Sequence, residues 1–382
     1  VSQVIINVSD VGADARSAFV HQLSYASDAI EGIEKSRSEI VITVSDDAVD
    51  AVRERAQALL GKLVAETREI PTTVWFESAP DADYPAEDVF PEMLARDWVV
   101  EFTPGLIGVG GPFQSLVDRF EAGMMRWAGE HDAVEYTYPD LVSIESLKRV
   151  HYLEGFPAHV VFTTRLRKNL DAIHEFASTI AHDDSCLSDT YLAQPSHTLK
   201  TAVCLHVYDH FQDRTIDLDR PLYITTKGRC KRDESVNMRT AERLLDFLMR
   251  EFVFIGREDW VLKQRMDLME RAREIVEQLG LRARIVSAGD PFYSEDDALK
   301  DTEQTRDPQK YELLAYLPAT DSEIAIGSFN FHGEFLAQTF NIHSQTGEPV
   351  YTGCVGFGME RCIYAFVSQV GIQGALDALG RA

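Results

Sequence analysis

Gly356, Gly358 and Arg361 are the residues of this 382-residue chain whose types and spacing point most directly to chemistry. Two glycines one residue apart let a backbone turn tightly and come close to a ligand. An arginine three residues later, on the first turn of a helix, can meet a triphosphate with a planar, permanently charged fork. The run Cys354-x-Gly356-x-Gly358-x-x-Arg361 leads at once into an apolar stretch over 363–370, so it sits on a strand-to-helix junction.

A second cluster lies upstream: Arg232-x-Glu234, a loop, Phe247, then Arg250-Glu251-Phe252. A fixed guanidinium at Arg232 suits a phosphate, a carboxylate two residues on can accept from an amino group, and an aromatic ring at Phe247 offers a flat apolar face. Residues 222–226 read as a strand and 243–255 ends in a β-rich run, which gives two antiparallel strands joined by a variable loop.

Other elements must hold these clusters. An amphipathic helix over 113–129, apolar at 113, 116, 117, 120, 124 and 127, precedes a short strand over 134–138 that stops at Pro139. Downstream come a charged helix over 261–279 capped by Gly280, a strand over 281–287, the turn Asp290-Pro291-Phe292, and strands over 311–317 and 323–331. Predominantly antiparallel strands with late helices predict an α+β catalytic domain rather than a Rossmann sheet. The first 80 residues read as strand 3–8, helix 13–35, strand 38–44, helix 48–69 and strand 72–77, a small α/β (βαβαβ) module. The acidic, proline-containing stretch 78–85 follows and marks the boundary, giving domains 1–84 and 85–382.

Composition narrows the class. An apolar content of 45% supports a sizeable core, the apolar runs fall short of a membrane span, and residues 1–16 lack the pattern of a signal peptide. Five scattered cysteines, at 186, 204, 230, 354 and 362, argue against a disulfide framework and for a reducing, cytoplasmic setting. A net charge of -25 disfavours a polyanionic partner such as tRNA, since no basic tail or stripe offsets it. No repeat or low-complexity tract stands out.

Taken in order, helix-strand-proline, Arg232-x-Glu234 with its loop, and the glycine-arginine run resemble motifs 1, 2 and 3 of the class II aminoacyl-tRNA synthetases. Within that class, residues 92–370 resemble the amino acid:[carrier protein] ligases, truncated homologues of the methanogen-type seryl-tRNA synthetases. The match lies in Pro112-Phe113-Gln114, Cys204, Arg232-x-Glu234, Met249-Arg250-Glu251-Phe252-x-x-Ile255-Gly256, Asp290-Pro291-Phe292, Gln309-Lys310-Tyr311-Glu312-Leu313, Ser328-Phe329-Asn330-Phe331-His332 and Cys354-x-Gly356-Phe357-Gly358-x-Glu360-Arg361.

The resemblance implies a class II synthetase-like antiparallel sheet with flanking helices and a homodimer built on 113–139, one apolar helix face paired to its symmetry mate. It implies Zn²⁺ on Cys204, Glu251 and Cys354, holding the α-amino group of the substrate; spacing alone does not single out this trio. It puts Arg232 on the α-phosphate and Arg361 on the γ-phosphate of a bent ATP, Glu234 and Phe247 on adenine, Mg²⁺ on the phosphates with Glu323 as a ligand, and Ser328 and Asn330 in the amino-acid pocket. The region 290–312, with Lys300, Arg306 and Lys310, is expected to dock the carrier. His197 and His332 could be pocket residues, though a lone histidine beside aromatic or turn residues is more often structural, and Cys230 and Cys362 read as small buried apolar residues.

There are departures. Lys231 replaces an aromatic residue before the motif 2 arginine, and Val203 stands where bacterial seryl enzymes carry a glutamate for the amino group. The N-terminal module matches nothing in the ligases, and its central strand forbids the long antiparallel coiled coil with which bacterial seryl enzymes grip tRNA. The expected activity is ATP-dependent activation of a small amino acid and its transfer to the phosphopantetheine thiol of an acyl or peptidyl carrier protein. The alternatives are a seryl-type tRNA synthetase and a non-catalytic sensor of amino acid or adenylate. Retention of both Arg232 and Arg361 favours an enzyme.

Overall fold

Eight strands form one sheet in the order Val74–Ser78, Ala283–Ser287, Lys310–Leu317, Ser322–Gly333, Tyr351–Gly358, Asp246–Gly256, Leu222–Lys231 and Val134–Tyr136. The structure is a computed structural model describing residues 1–36, 38–66, 72–80, 82–182, 190–288 and 309–380. All neighbours pair antiparallel except the last two strands, which run parallel.

Strand periodicity decides which residues serve the core and which the site. Phe252, Phe254, Phe329, Val355 and Phe357 share one face of the sheet and join the main apolar core. That core is closed by three helices, Gly111–Glu130, Glu258–Gln278 and Met359–Gly380. Residues of the other parity, Glu251, Ser328, Asn330, His332, Cys354 and Gly356, face the opposite side and line a cavity. Because side chains alternate along a strand, one hydrophobic decision fixes both faces at once.

The class II-like architecture is as expected, with differences in the parts. The helix over 113–129 is Gly111–Glu130, and its Phe113, Leu116, Val117, Met124 and Trp127 are buried in the chain's own core. The apolar face expected to meet a symmetry mate is therefore already covered. The helix expected over 13–35 ends at Leu23, and Ile30–Lys35 is instead a strand paired with Glu39–Val44, which pairs in turn with Ser2–Asn7. Pairing buries Ile30 within the module's apolar cluster, a gain that outweighs helix continuation. The strand expected over 72–77 as the module's last element is Val74–Ser78, which joins the large sheet with Glu77 opposite Arg284. The chain thus enters the catalytic sheet before Val74, and the acidic stretch at 78–85 follows that entry.

Among the described residues, Met359–Gly380 is the one helix long and apolar enough to cross a membrane, and more than half of that span is packed inside the protein. The turn Asp290-Pro291-Phe292, Lys300 and Arg306 lie outside the described residues.

Candidate active site

The cavity measures about 1000 Å³ and is lined from motifs 2 and 3, from Ser322–Gly333, and from Cys204 at the start of the helix Leu205–Phe211. Arg232, Phe247 and Arg361 all line it. Arg232 donates from Nε to the Thr201 carbonyl at 2.9 Å, and its guanidinium lies 5.5 Å from the Phe247 ring centroid. Arg361 donates from Nε to the Glu242 carbonyl at 2.6 Å and from Nη1 to the Ala325 carbonyl at 3.1 Å. Both arginines are held by main-chain carbonyls, which orient a guanidinium without neutralising it. Burial pulls the Arg361 pKa down to about 10, so it stays charged at neutral pH, and an anionic ligand would be well compensated there.

Cys204, Glu251 and Cys354 come together from three elements, one ligand atom of each within 4.8 Å of the others. Gly356 stands opposite Glu251 in the ladder, and a Cβ there would lie 3.2 Å from Glu251 Cγ, so glycine leaves this carboxylate its room. Glu251 Oε1 accepts from the Val203 amide at 3.3 Å, while Oε2 is buried with no hydrogen-bond partner among the described residues. Burial, with Cys354 nearby, pushes the Glu251 carboxyl up to about 8. A hydrogen bond between the two thiols holds Cys354 well below the usual thiol range and pushes Cys204 up. A thiolate, an orphaned carboxylate oxygen and a second thiol fit a divalent cation, and two sulfurs with one carboxylate suit Zn²⁺, leaving a fourth tetrahedral position for a ligand.

Of the other expected site residues, Ser328 and Asn330 line the cavity, and Asn330 Nδ2 lies 3.2 Å from Ser328 Oγ and 3.5 Å from Cys354 Sγ. Glu234 is not on the cavity wall: within the loop between the motif 2 strands, its carboxylate is paired with Arg243. Glu323 is also absent from the cavity wall: Arg284, from the next strand but one in the sheet, engages both its oxygens at 2.8 and 3.1 Å from Nε. Lys310 lines the cavity and pairs with Glu312 at 3.0 Å, so it faces the site and not a docking rim. His197 pairs in a small sheet, and Cys230 and Cys362 are buried, as read from the sequence.

Three residues have a larger part in the site than the sequence reading gave them. His332 Nε2 lies 3.7 Å from Cys354 Sγ, with Nδ1 3.4 Å from both the Tyr208 and Thr352 hydroxyls. Its alternation with Ser328 and Asn330 was the available signal. Glu312 lines the cavity from the next strand. Lys200 is buried, donates to the Pro139 carbonyl at 3.2 Å and pairs with Asp140 at 3.1 Å. A Cβ on Gly228 would lie 2.4 Å from Lys200 Nζ, so this glycine lets the lysine tie the motif 1 proline to motif 2.

Comparison with known proteins agrees with this geometry. The family model "tRNA synthetase class II core domain (G, H, P, S and T)" matches residues 191–370. An amino acid–[acyl-carrier-protein] ligase of Bradyrhizobium diazoefficiens is 31% identical over 253 residues, 66% of this chain and 76% of the relative. A type-2 serine–tRNA ligase of Methanopyrus kandleri is 28% identical over 347 residues, 85% of this chain and 64% of the relative. That of Methanocaldococcus jannaschii is 28% identical over 245 residues, 62% of this chain and 47% of the relative. The chain thus spans about half to just under two thirds of these methanogen ligases. In fold it is similar to M. kandleri seryl-tRNA synthetase, solved in complex with Aquifex aeolicus tRNA for selenocysteine ("A. aeolicus tRNASec"), with a TM-score of 0.73 at 24% identity over 97% of this chain and 74% of that one. The matched core domain and the ligase relative covered over three quarters of its length show that the chain belongs to the class II aminoacyl-tRNA synthetase family.

Proposed function

We propose that the protein activates a small amino acid with ATP and transfers it to the phosphopantetheine thiol of a carrier protein. The observation that carries this reading is the trio Cys204, Glu251 and Cys354 in the same cavity as Arg232 and Arg361. In the first step a carboxylate oxygen of the amino acid attacks the α-phosphorus and the bond to pyrophosphate breaks. In the second, the carrier sulfur attacks the acyl carbon, the bond to AMP breaks, and the thiol proton passes to solvent. Neither step needs a strong protein base, so the residues' work is positioning and charge compensation.

Arg232 faces the α-phosphate and Arg361 the γ-phosphate, while Phe247 stacks on adenine and Ser328 and Asn330 line the amino-acid side. Cys204, Glu251 and Cys354 would hold Zn²⁺, which would supply a seat for the α-amino group. Mg²⁺ would accompany the phosphates, with Glu312 as the cavity carboxylate in place of Glu323.

The carrier acceptor is supported by the Bradyrhizobium relative and by charge. Residues 1–66 hold eleven carboxylates against six lysines and arginines, a poor surface for a polyanion. A second reading, transfer to a tRNA, is favoured by one observation: the likeness to a tRNA-bound synthetase extends over 97% of the chain, N-terminal module included. Both readings share the activation step. Adenylate formed on the zinc-loaded protein and offered to holo-carrier and to total tRNA in parallel separates them; thioester on carrier alone supports the first, and aminoacyl-tRNA alone refutes it.

A further inference from the structure

The loop over 232–245 that joins the motif 2 strands has two sides. Toward the cavity it presents Arg232, Ala241, Glu242 and Leu244, and the Glu242 carbonyl fixes Arg361. Its other side rests on the N-terminal module. Tyr25 Oη donates to the Asp233 carbonyl at 2.8 Å, and Ser235 Oγ donates to the Ser24 carbonyl at 3.2 Å. Val236 packs into the module's own apolar cluster, which includes Phe19, Leu23 and Ile30. The His21 ring meets His159 edge-on at 5.2 Å, and the His159 carbonyl accepts from the Asp233 amide at 3.0 Å. Between these contacts Ser235 holds a left-handed backbone, φ +53°, closed by its amide donating to Asp233 Oδ1 at 2.8 Å.

We infer that the N-terminal module is the seat of the nucleotide-binding loop. Tyr25 and Val236 are positioning residues: they touch no substrate and act through the main chain between Arg232 and Glu242. A loop of this length bearing one phosphate-facing arginine and the anchor of a second would otherwise be ordered only when ATP binds, and that ordering would be subtracted from the affinity. Docking the loop on a folded module orders it beforehand. The module therefore acts on the nucleotide half of the cavity, while the Cys204, Glu251, Cys354 half is built from the sheet and the start of the helix Leu205–Phe211, away from these module contacts.

This inference rests on the ATP reading above, and the test separates the two. In the full chain, Val236→Asp and Tyr25→Phe are compared with wild type by calorimetric ATP binding, by KM for ATP and for the amino acid in pyrophosphate exchange, and by bound zinc. Val236→Asp is expected to weaken ATP about 10-fold and Tyr25→Phe about 3-fold, the cost of reordering a few side chains and their backbone, with amino-acid KM and zinc content unchanged. If Val236→Asp does not fold, Tyr25→Phe combined with Ser235→Ala replaces it, with about the same 10-fold loss expected. Unchanged ATP affinity in folded variants, or equal losses for ATP and amino acid, overturns the inference. Absence of ATP binding by the wild type overturns the functional reading beneath it.

Discussion

Asn330 and Cys354 stand directly opposite each other in the ladder between Ser322–Gly333 and Tyr351–Gly358, and the asparagine amide nitrogen lies 3.5 Å from the cysteine sulfur. The same amide lies 3.4 Å from the Cys354 carbonyl, so one side chain fixes both the strand and the thiolate it carries. His332, two residues along, approaches the sulfur from the same face.

An outer partner of this kind orients the ligand before metal arrives. Asn330→Ala should lower zinc affinity about 10- to 100-fold with little loss of fold, as removal of outer-shell partners does elsewhere. Competition with a chromophoric chelator measures it, and wild-type affinity in this variant would mean that the amide serves only the strand.

Arg232→Ala and Arg361→Ala should each slow adenylate formation by at least about 100-fold, since a preorganised donor to developing charge contributes roughly 3 kcal/mol. Pre-steady-state adenylate formation gives the number directly. Near-normal rates in either variant would remove that arginine from the chemistry.

The catalytic half of the chain was legible in the sequence because its signals are local. Glycines before an arginine, a periodic helix, and strands with strict alternation each state their own geometry. What depends on long-range pairing was not legible. Glu323 and Glu234 carry the right charge, yet Arg284 and Arg243 take them, and nothing within a few residues of either carboxylate announces that partner. The strand Ile30–Lys35 was lost in a helical reading because its partner Glu39–Val44, not its own propensity, makes it a strand.

Glu234 gives a pH signature. Burial opposes its charge, but Arg243 first, and then Arg361 and Arg232, outweigh that and bring its pKa down to about 2 from the usual 4.5. A depressed carboxyl pKa contributes stability that is fully present above about pH 4.5 and is lost as pH falls from there through 2. Thermal melts of the wild type should therefore decline over that window more steeply than those of Glu234→Gln. Parallel declines would show that the pair with Arg243 contributes nothing to the fold.

Arg250 is 1% exposed and binds Glu121 of the motif 1 helix, Glu135 at 2.9 Å and the Thr225 hydroxyl at 3.2 Å. Arg250→Met leaves Glu121 only the more exposed Lys227, at 3.1 Å, and should cost about 3 kcal/mol in urea unfolding. Adding Glu121→Gln should recover part of that loss; no recovery would assign the cost to packing instead.

The most direct test of the account is amino-acid-dependent ATP–pyrophosphate exchange across a panel of single amino acids, run on zinc-loaded wild type, on protein stripped of metal, and on Cys354→Ala. The account predicts exchange with one or a few small amino acids in the loaded wild type, and its loss in the other two samples while their circular dichroism stays native. Exchange that persists without metal, or no exchange with any amino acid in the loaded wild type, would contradict it.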